Sequence, residues 1–129
     1  EFQTTDTCAV HVRGGDIIGP GRAFFERALA RMENERPGLR YLVFTNDREA
    51  AKEALEGEHT ERKMTYISEL GAFSDIDEFF LMAACRHQII SNSSYSTWAA
   101  YLNPNPEKVV IMPEYKGCEQ IRLKEWIVL

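Results

Sequence analysis

Apolar residues follow two alternating patterns along the chain. Short apolar runs indicate buried strands, and stretches with an apolar residue at every third or fourth position indicate amphipathic helices. The predicted strands cover residues 7–12, 41–44, 64–67, 88–90 and 108–112. The predicted helices start at Arg22, after Thr45-Asn46-Asp47, at the capping box Ser74-Asp75-Ile76-Asp77 and at Ser94. This alternation predicts an α/β fold: a Rossmann-like parallel sheet of about five strands with helices on both faces.

The same pattern predicts the core. The first helix is expected to bury the stripe Phe24, Phe25, Ala28, Leu29 and Met32 and to stop at Arg36-Pro37-Gly38. The third is expected to carry on one face Ile76, Phe79, Phe80 and Ala83. It should end near Arg86 and His87, where positive charge suits the helix dipole. The fourth is expected to bury Tyr95, Trp98, Tyr101 and Leu102. The less regular tail should pack back through Trp126 to Leu129.

Two polar loops follow the first and fourth predicted strands. The first reads His11-Val12-Arg13-Gly14-Gly15-Asp16, and the second reads Ser91-Asn92-Ser93-Ser94-Tyr95-Ser96-Thr97-Trp98. In an open α/β sheet, ligands bind at the carboxyl ends of strands beside helix N-termini. One loop offers a guanidinium and bare backbone amides, and the other offers hydroxyls at a helix start. Together they predict a clamp for a diphosphate.

The first loop is a weak motif taken alone. His11 and Arg13 are two residues apart on a strand, so they lie on one side, while the neighbouring valines face the core. An arginine fork donates two parallel hydrogen bonds to a phosphate, and glycines let amides approach an anion. The alternative interpretation is a surface turn in which Arg13 pairs with Asp16.

The second loop favours the ligand site. Ser93, Ser94, Ser96 and Thr97 crowd a helix start whose N–H groups lack intrahelical partners. Simple N-capping needs one hydroxyl, not four. The sequon Asn92-Ser93-Ser94 is expected to be unused. The carboxylates Asp75, Asp77 and Glu78 either cap a helix or accept from the N–H donors of a guanine edge.

Composition narrows the function classes. The 129 residues are 44% apolar and carry a net charge of −5, which argues against a nucleic-acid partner. No apolar stretch is long enough for a membrane segment in this chain. Cys8, Cys85 and Cys118 have neither metal-ligand nor disulfide spacing, and reduced thiols fit a cytosolic setting. We find no metal cluster, catalytic triad or P-loop. The chain is interpreted as one domain, residues 1–129, with Glu1-Phe2 a cloning scar.

These motifs resemble a known family. The first loop is similar to the His-x-Arg-Arg-x-Asp signature of fucosyltransferases. Residues 78–103 resemble the second block of the α1,2-fucosyltransferases of glycosyltransferase family 11, with Leu81-Met82, Cys85-Arg86-His87, Asn92-Ser93-Ser94-Tyr95-Ser96-Thr97-Trp98 and Ala100-Tyr101-Leu102-Asn103 in register. Residues 108–113 resemble its closing strand. The resemblance implies the C-terminal, donor-binding half of a GT-B enzyme that inverts the anomeric centre, uses GDP-fucose and needs no metal or other cofactor.

The resemblance also implies residue roles. Arg13 would bind the donor diphosphate, His11 would line the same pocket, and Asp77 or Glu78 would meet the guanine. The expected catalytic residues are Arg13 and His11. The expected substrate-binding residues are Arg13, Gly14, Gly15, Asp16, Asp77, Glu78, Asn92, Ser93, Ser94, Tyr95 and Ser96. The expected partners are a nucleotide-sugar donor, a glycan acceptor and an N-terminal acceptor domain, without which this fragment should be inactive.

Three positions depart from the family pattern. Gly14 replaces the second arginine, Ile17 the usual tyrosine, and Thr97 the first tryptophan of a pair. Two alternatives therefore stay open: a transferase using another nucleotide sugar, and a non-catalytic nucleotide-binding module of the same fold. A receiver-like signalling domain is disfavoured, because Arg13 and glycines stand where its acidic cluster would follow the first strand.

Overall fold

A computed structural model describes residues 6–12, 22–45, 48–55, 63–67, 75–92, 94–114 and 125–129 of the chain. The strands within these ranges are β1 (Thr7–Val12), β2 (Arg40–Thr45), β3 (Lys63–Tyr66), β4 (His87–Ile89), β5 (Val110–Met112) and β6 (Ile127–Val128). The helices are α1 (Arg22–Glu35), α2 (Arg48–Leu55), α3 (Asp75–Ala84) and α4 (Ser94–Leu102). None of these helices has the length and apolarity needed to cross a membrane.

The strands form one sheet in the order β3-β2-β1-β4-β5-β6, and every neighbouring pair is parallel. β1 lies at the centre and all six of its residues are buried, as a strand covered on both faces requires. The predicted α/β fold with a Rossmann-like parallel sheet is confirmed. The structure has six strands within the described ranges, where the sequence predicts about five.

Side-chain alternation along β1 assigns the helices to the two faces. Cys8, Val10 and Val12 share a core cluster with residues of α1 and α2. Ala9 belongs to the opposite cluster, with Met82 of α3 and residues of α4. The predicted stripe on α1 is buried throughout. Beyond the end of this helix Gly38 has a φ of +80°, a conformation that favours glycine and suits a chain reversal after a helix.

The sheet reverses its direction of growth between β1 and β4. From β1 the chain builds outward through β2 to β3, then returns to place β4 on the other side of β1. In such sheets a crevice opens at the carboxyl ends of the two strands that flank the reversal. His11 near the end of β1 and the loop after β4 therefore lie at the position where open α/β proteins bind ligands.

Three sequence predictions about the elements are wrong. The tail forms a strand, β6, paired to β5 through Ile111 and Ile127, because two residues are too few to show a strand pattern in sequence. The predicted packing of Trp126 is confirmed, since that residue is 3% exposed. His87 starts β4 and does not end a helix, because the chain leaves α3 at Ala84.

The third wrong prediction concerns the outer faces of α3 and α4. Four large apolar side chains expected in the core are exposed: Ile76, Phe80, Trp98 and Leu102, at 69%, 60%, 59% and 53%. In α3 the buried ridge passes through Met82 and Ala83. Because the helix is apolar on every side after Glu78, its periodicity does not select the inward face.

Candidate functional site

His11 lies where the carboxyl ends of β1 and β4 meet. β1 pairs with β4 through Ala9 opposite Gln88 and Val10 opposite Ile89. His11 follows on the sheet face that α3 and α4 cover, opposite to Val10 and Val12, as predicted from strand alternation. The imidazole is 8% exposed. The fold therefore holds an ionisable ring at the edge of the crevice with only a small part of it open to solvent.

Ser91 connects His11 to the first turn of α4. Its Oγ lies 2.7 Å from Nδ1 of His11. Its backbone N–H donates to Oγ of Ser96 at 3.3 Å, and the two serine Oγ atoms lie 3.5 Å apart. Ser91 and Ser96 are both fully buried. The end of β1, the loop after β4 and the start of α4 thus share one polar cluster.

The ring of Tyr95 packs against the imidazole of His11. Its ring centroid lies 5.6 Å from that of His11 and 5.4 Å from that of Phe79, where the rings meet edge to face. Phe79 immediately follows Asp77 and Glu78 in α3. The contact therefore places the middle of α3, at Phe79, beside the first turn of α4. Asp77 is exposed and Glu78 is half-buried.

The structure describes only some of the expected site residues, and it brings some of those together. His11 contacts the ring of Tyr95 and is linked to Ser96 through Ser91, Asn92 is half-buried in the intervening loop, and Ser94 begins α4. Arg13, Gly14, Gly15, Asp16 and Ser93 lie outside the described residues, and so does Ser74 of the predicted capping box. Their roles stay predictions, as does the choice between Asp77 and Glu78.

Ser91 is a site residue that sequence patterns alone do not reveal. A serine after a buried run looks like an ordinary loop residue. Its contact with His11 depends on β1 and β4 being neighbours, which is a property of strand order and has no local sequence signal. A histidine and a serine, each at the end of an apolar run, would point to the pair only once the order is known.

A second polar cluster fixes β4 from its amino end. Gln88 is fully buried and its Nε2 donates to the carbonyl oxygens of Met82 and Cys85, at 3.1 and 3.2 Å. Asn103 Nδ2 donates to Oε1 of Gln88 at 2.9 Å and to the carbonyl oxygen of Arg86 at 3.0 Å. These bonds satisfy carbonyls in the last turn of α3 and just after it, and they tie the end of α4 to β4.

Burial lowers the pKa values of two titratable groups around this second cluster. Desolvation, together with the positive charges of Arg36 and Arg86, lowers the pKa of His87 to about 4. Its neutral ring accepts a hydrogen bond at Nδ1 from the backbone N–H of Val109, at 2.9 Å. Lys108 Nζ donates to the carbonyl oxygens of Ala100 and Asn103 at the end of α4, and burial lowers its pKa. These interactions hold α4 at its C-terminal end.

The two described cysteines have no features of catalytic thiols. Cys8 and Cys85 are both completely buried thiols. Burial raises the pKa of the Cys8 thiol well above its usual value and that of Cys85 to about 12. A thiol in this state is inert at neutral pH. In the part of the chain that the structure describes, no group of three or more His, Cys, Asp or Glu side chains could hold a metal ion. Metal independence itself stays a prediction.

Comparison with known proteins gives two findings. The family model described as glycosyl transferase family 11 matches residues 2–129. The O-antigen biosynthesis glycosyltransferase WbnK of Escherichia coli is 30% identical over 123 residues, which cover 86% of this chain and 39% of that protein. The chain therefore spans well under half the length of this relative. No solved structure gives a significant match.

Proposed function

This chain belongs to glycosyl transferase family 11, and on that premise we propose that it is the donor-binding part of a transferase that moves fucose from GDP-fucose to a glycan hydroxyl. The reaction would invert the anomeric centre and need no metal. The similarity to WbnK, an O-antigen biosynthesis glycosyltransferase, supports a glycan as acceptor. An N-terminal domain of a longer polypeptide would supply most of the acceptor site.

One observation carries the proposal. The polar cluster of His11, Ser91 and Ser96 lies at the reversal point of the sheet and includes the first turn of α4. The N-terminus of a helix presents unpaired N–H groups and a partial positive charge, which favours an anion such as a diphosphate. A nucleotide would then run across the carboxyl ends of β1 and β4, with its phosphates nearest α4.

The remaining roles follow from position in the chain. Arg13 comes directly after β1 and is proposed to clamp the diphosphate, assisted by the amides of Gly14 and Gly15. Asp16 would orient the guanidinium. The loop residues Asn92, Ser93 and Ser94 would line the phosphates from the β4 side. Asp77 or Glu78, in the first turn of α3 directly before Phe79, would accept from the guanine N–H donors.

Catalysis would act on the leaving group. As the bond from the sugar to the diphosphate breaks, negative charge builds on the phosphate oxygen. Fixed donors directed at that charge, from Arg13, the glycine amides and His11, lower the barrier without reorganising. These donors bind the charge more strongly in the transition state than in the ground state, which is the requirement for acceleration. No described residue is assigned as the base for the acceptor hydroxyl.

A second candidate is a transferase of the same fold that uses another nucleotide sugar. It is favoured by Gly14 in place of the family's second arginine and by Thr97 in place of tryptophan. Thr97 is 4% exposed in α4, so the smaller side chain changes the packing next to the serine loop. Gly14 in place of an arginine removes one positive charge from the phosphate side of the site.

Calorimetric titration separates the candidates. The 129-residue chain is titrated with GDP and GDP-fucose, and with UDP and ADP as competing nucleotides. Selective binding of GDP that Arg13→Ala abolishes, and that Arg40→Ala leaves unchanged, supports the proposal. Arg40 is the matched control, because it is exposed and begins β2, at the end of the parallel strands opposite to the candidate site. Stronger binding of UDP or ADP than of GDP would overturn the donor assignment in favour of the second candidate.

A further inference from the structure

The direction of the hydrogen bond between Ser91 and His11 determines what the imidazole offers to a ligand. The Ser91 hydroxyl is fully buried, so its proton needs an acceptor within the protein. Nδ1 of His11 lies 2.7 Å from Oγ of Ser91, and Oγ of Ser96 lies at 3.5 Å. The second atom already accepts from the Ser91 backbone N–H. The short contact is therefore the better place for the hydroxyl proton.

The length of the contact agrees with this direction. Hydrogen bonds from N–H to oxygen cluster near ~2.9–3.0 Å, and those donated by a hydroxyl are shorter by roughly 0.2 Å. A separation of 2.7 Å fits a hydroxyl that donates to a ring nitrogen. An imidazole that accepts at Nδ1 carries its single proton on Nε2.

We propose that Ser91 is a positioning residue that holds neutral His11 as the Nε2–H tautomer. The ring then presents an N–H donor and no lone pair at Nε2. It is suited to donate a hydrogen bond to a phosphate oxygen and unsuited to take a proton from an acceptor hydroxyl there. The identity of that phosphate as the donor diphosphate rests on the proposed function, whereas the tautomer itself does not.

His87 provides an internal reference. Its Nδ1 accepts from the backbone N–H of Val109, a donor that cannot reverse its role. Its neutral ring must therefore be the Nε2–H tautomer, and it lies at the amino end of β4, away from His11. The two histidines should show the same pattern of ring nitrogen signals if Ser91 donates, and opposite patterns if His11 donates to Ser91.

The test is a long-range ¹H–¹⁵N correlation spectrum of the histidine-labelled 129-residue chain at pH 7.5, with His11 assigned from a His11→Gln sample. We expect a pyridine-like shift for Nδ1 of His11 and a pyrrole-like shift for Nε2, matching His87. In Ser91→Ala the His11 signals should move toward a mixture of tautomers, and Ser91→Thr should restore them. The hydroxyl deletion Thr65→Ala, on the edge strand β3, is the control that should leave them unchanged. A pyrrole-like Nδ1 in the wild-type chain overturns the proposal, whether or not the variants fold.

Binding measurements keep this proposal separate from the proposed function. If the chain binds GDP, Ser91→Ala should weaken the affinity by roughly twofold at most when the two tautomers become equally populated, because only the Nε2–H fraction can donate to the ligand. If the chain binds no guanine nucleotide, the proposed function fails while the wild-type tautomer is still read from the same spectrum. A Ser91→Ala spectrum identical to the wild type would show that Ser91 does not select the tautomer and would overturn the proposal.

Discussion

Nδ2 of Asn103 lies 2.9 Å from Oε1 of Gln88, and both side chains are buried. The same Nδ2 donates to the carbonyl oxygen of Arg86, while Oδ1 of Asn103 accepts from the backbone N–H of Asn105. One amide side chain thereby joins the end of α4, the turn after it and the start of β4. The strand that leads to Ser91 is held by this junction.

Replacing Asn103 by alanine should destabilise the fold. The substitution removes three hydrogen bonds and leaves the buried Oε1 of Gln88 without its donor, at a cost of about 2–4 kcal/mol. Urea unfolding followed by circular dichroism measures the change. Asn34→Ala, at an exposed position of α1, is the matched control and should shift the free energy of unfolding by less than about 0.5 kcal/mol. Equal effects of the two variants would refute the structural role of Asn103.

His87 should make the stability of the fold depend on pH. Its folded pKa of about 4 lies below the unfolded value of 6.5, so the unfolded chain binds more protons between these values. The stabilisation from the neutral ring is complete above about pH 6.5 and falls by about 2 kcal/mol on acidification to pH 4.5. His87→Asn keeps an acceptor near Nδ1 but cannot titrate. Its unfolding free energy should decline less steeply over this range, and parallel curves for the two proteins would contradict the assignment.

The outward orientation of Phe80 predicts a contrast within α3. Phe80→Ala removes a side chain that is 60% exposed and should cost less than about 1 kcal/mol. Met82→Ala empties a fully buried position two residues later and should cost about 2–5 kcal/mol. Thermal unfolding of the two variants measures the difference. A larger loss for Phe80→Ala would mean that the sequence-based orientation of this helix, with Phe80 inside, is the correct one.

The buried thiols should resist alkylation. Cys8 and Cys85 are fully buried and have raised pKa values, so neither of these two residues offers an exposed thiolate or a path to one. Iodoacetamide at pH 8 should label both residues at least about a hundredfold more slowly in the native chain than in urea. Peptide mass spectrometry reports each cysteine separately. Rapid labelling of Cys8 under native conditions would show that the centre of the sheet opens easily.

The sequence predicts most of the strands and helices of this fold because their apolar patterns and stop signals are local. The buried run of β1, the stripe on α1 and the stop at Gly38 each follow from local chemistry. Apolar periodicity fails for α3, where six successive apolar residues from Phe79 to Ala84 leave the inward face undefined. The sequence does not predict β6, because its two residues form a strand only through their pairing with β5.

The residues of the candidate site also differ in whether the sequence alone reveals them. His11 and Ser96 stand out in the sequence because they belong to polar motifs that begin where an apolar run ends, and the structure places them in one cluster through Ser91. Ser91 itself becomes visible only when β1 and β4 are neighbours, since its partner is 80 residues away. Local sequence carries the residue types of the site, whereas the strand order brings those residues together.

The most direct test of the central claim, that a guanine nucleotide binds across the carboxyl ends of β1 and β4, is a map of amide shifts. ¹H–¹⁵N spectra of the labelled chain are recorded as GDP is added, with UDP as the comparison. We predict that GDP shifts the amides of His11, Ser91 and the first turn of α4 (residues 94–96) while those around Asn103 and Asn105 stay in place. Shifts confined to the Asn103–Asn105 side of the sheet, or equal shifts with UDP, would contradict the account.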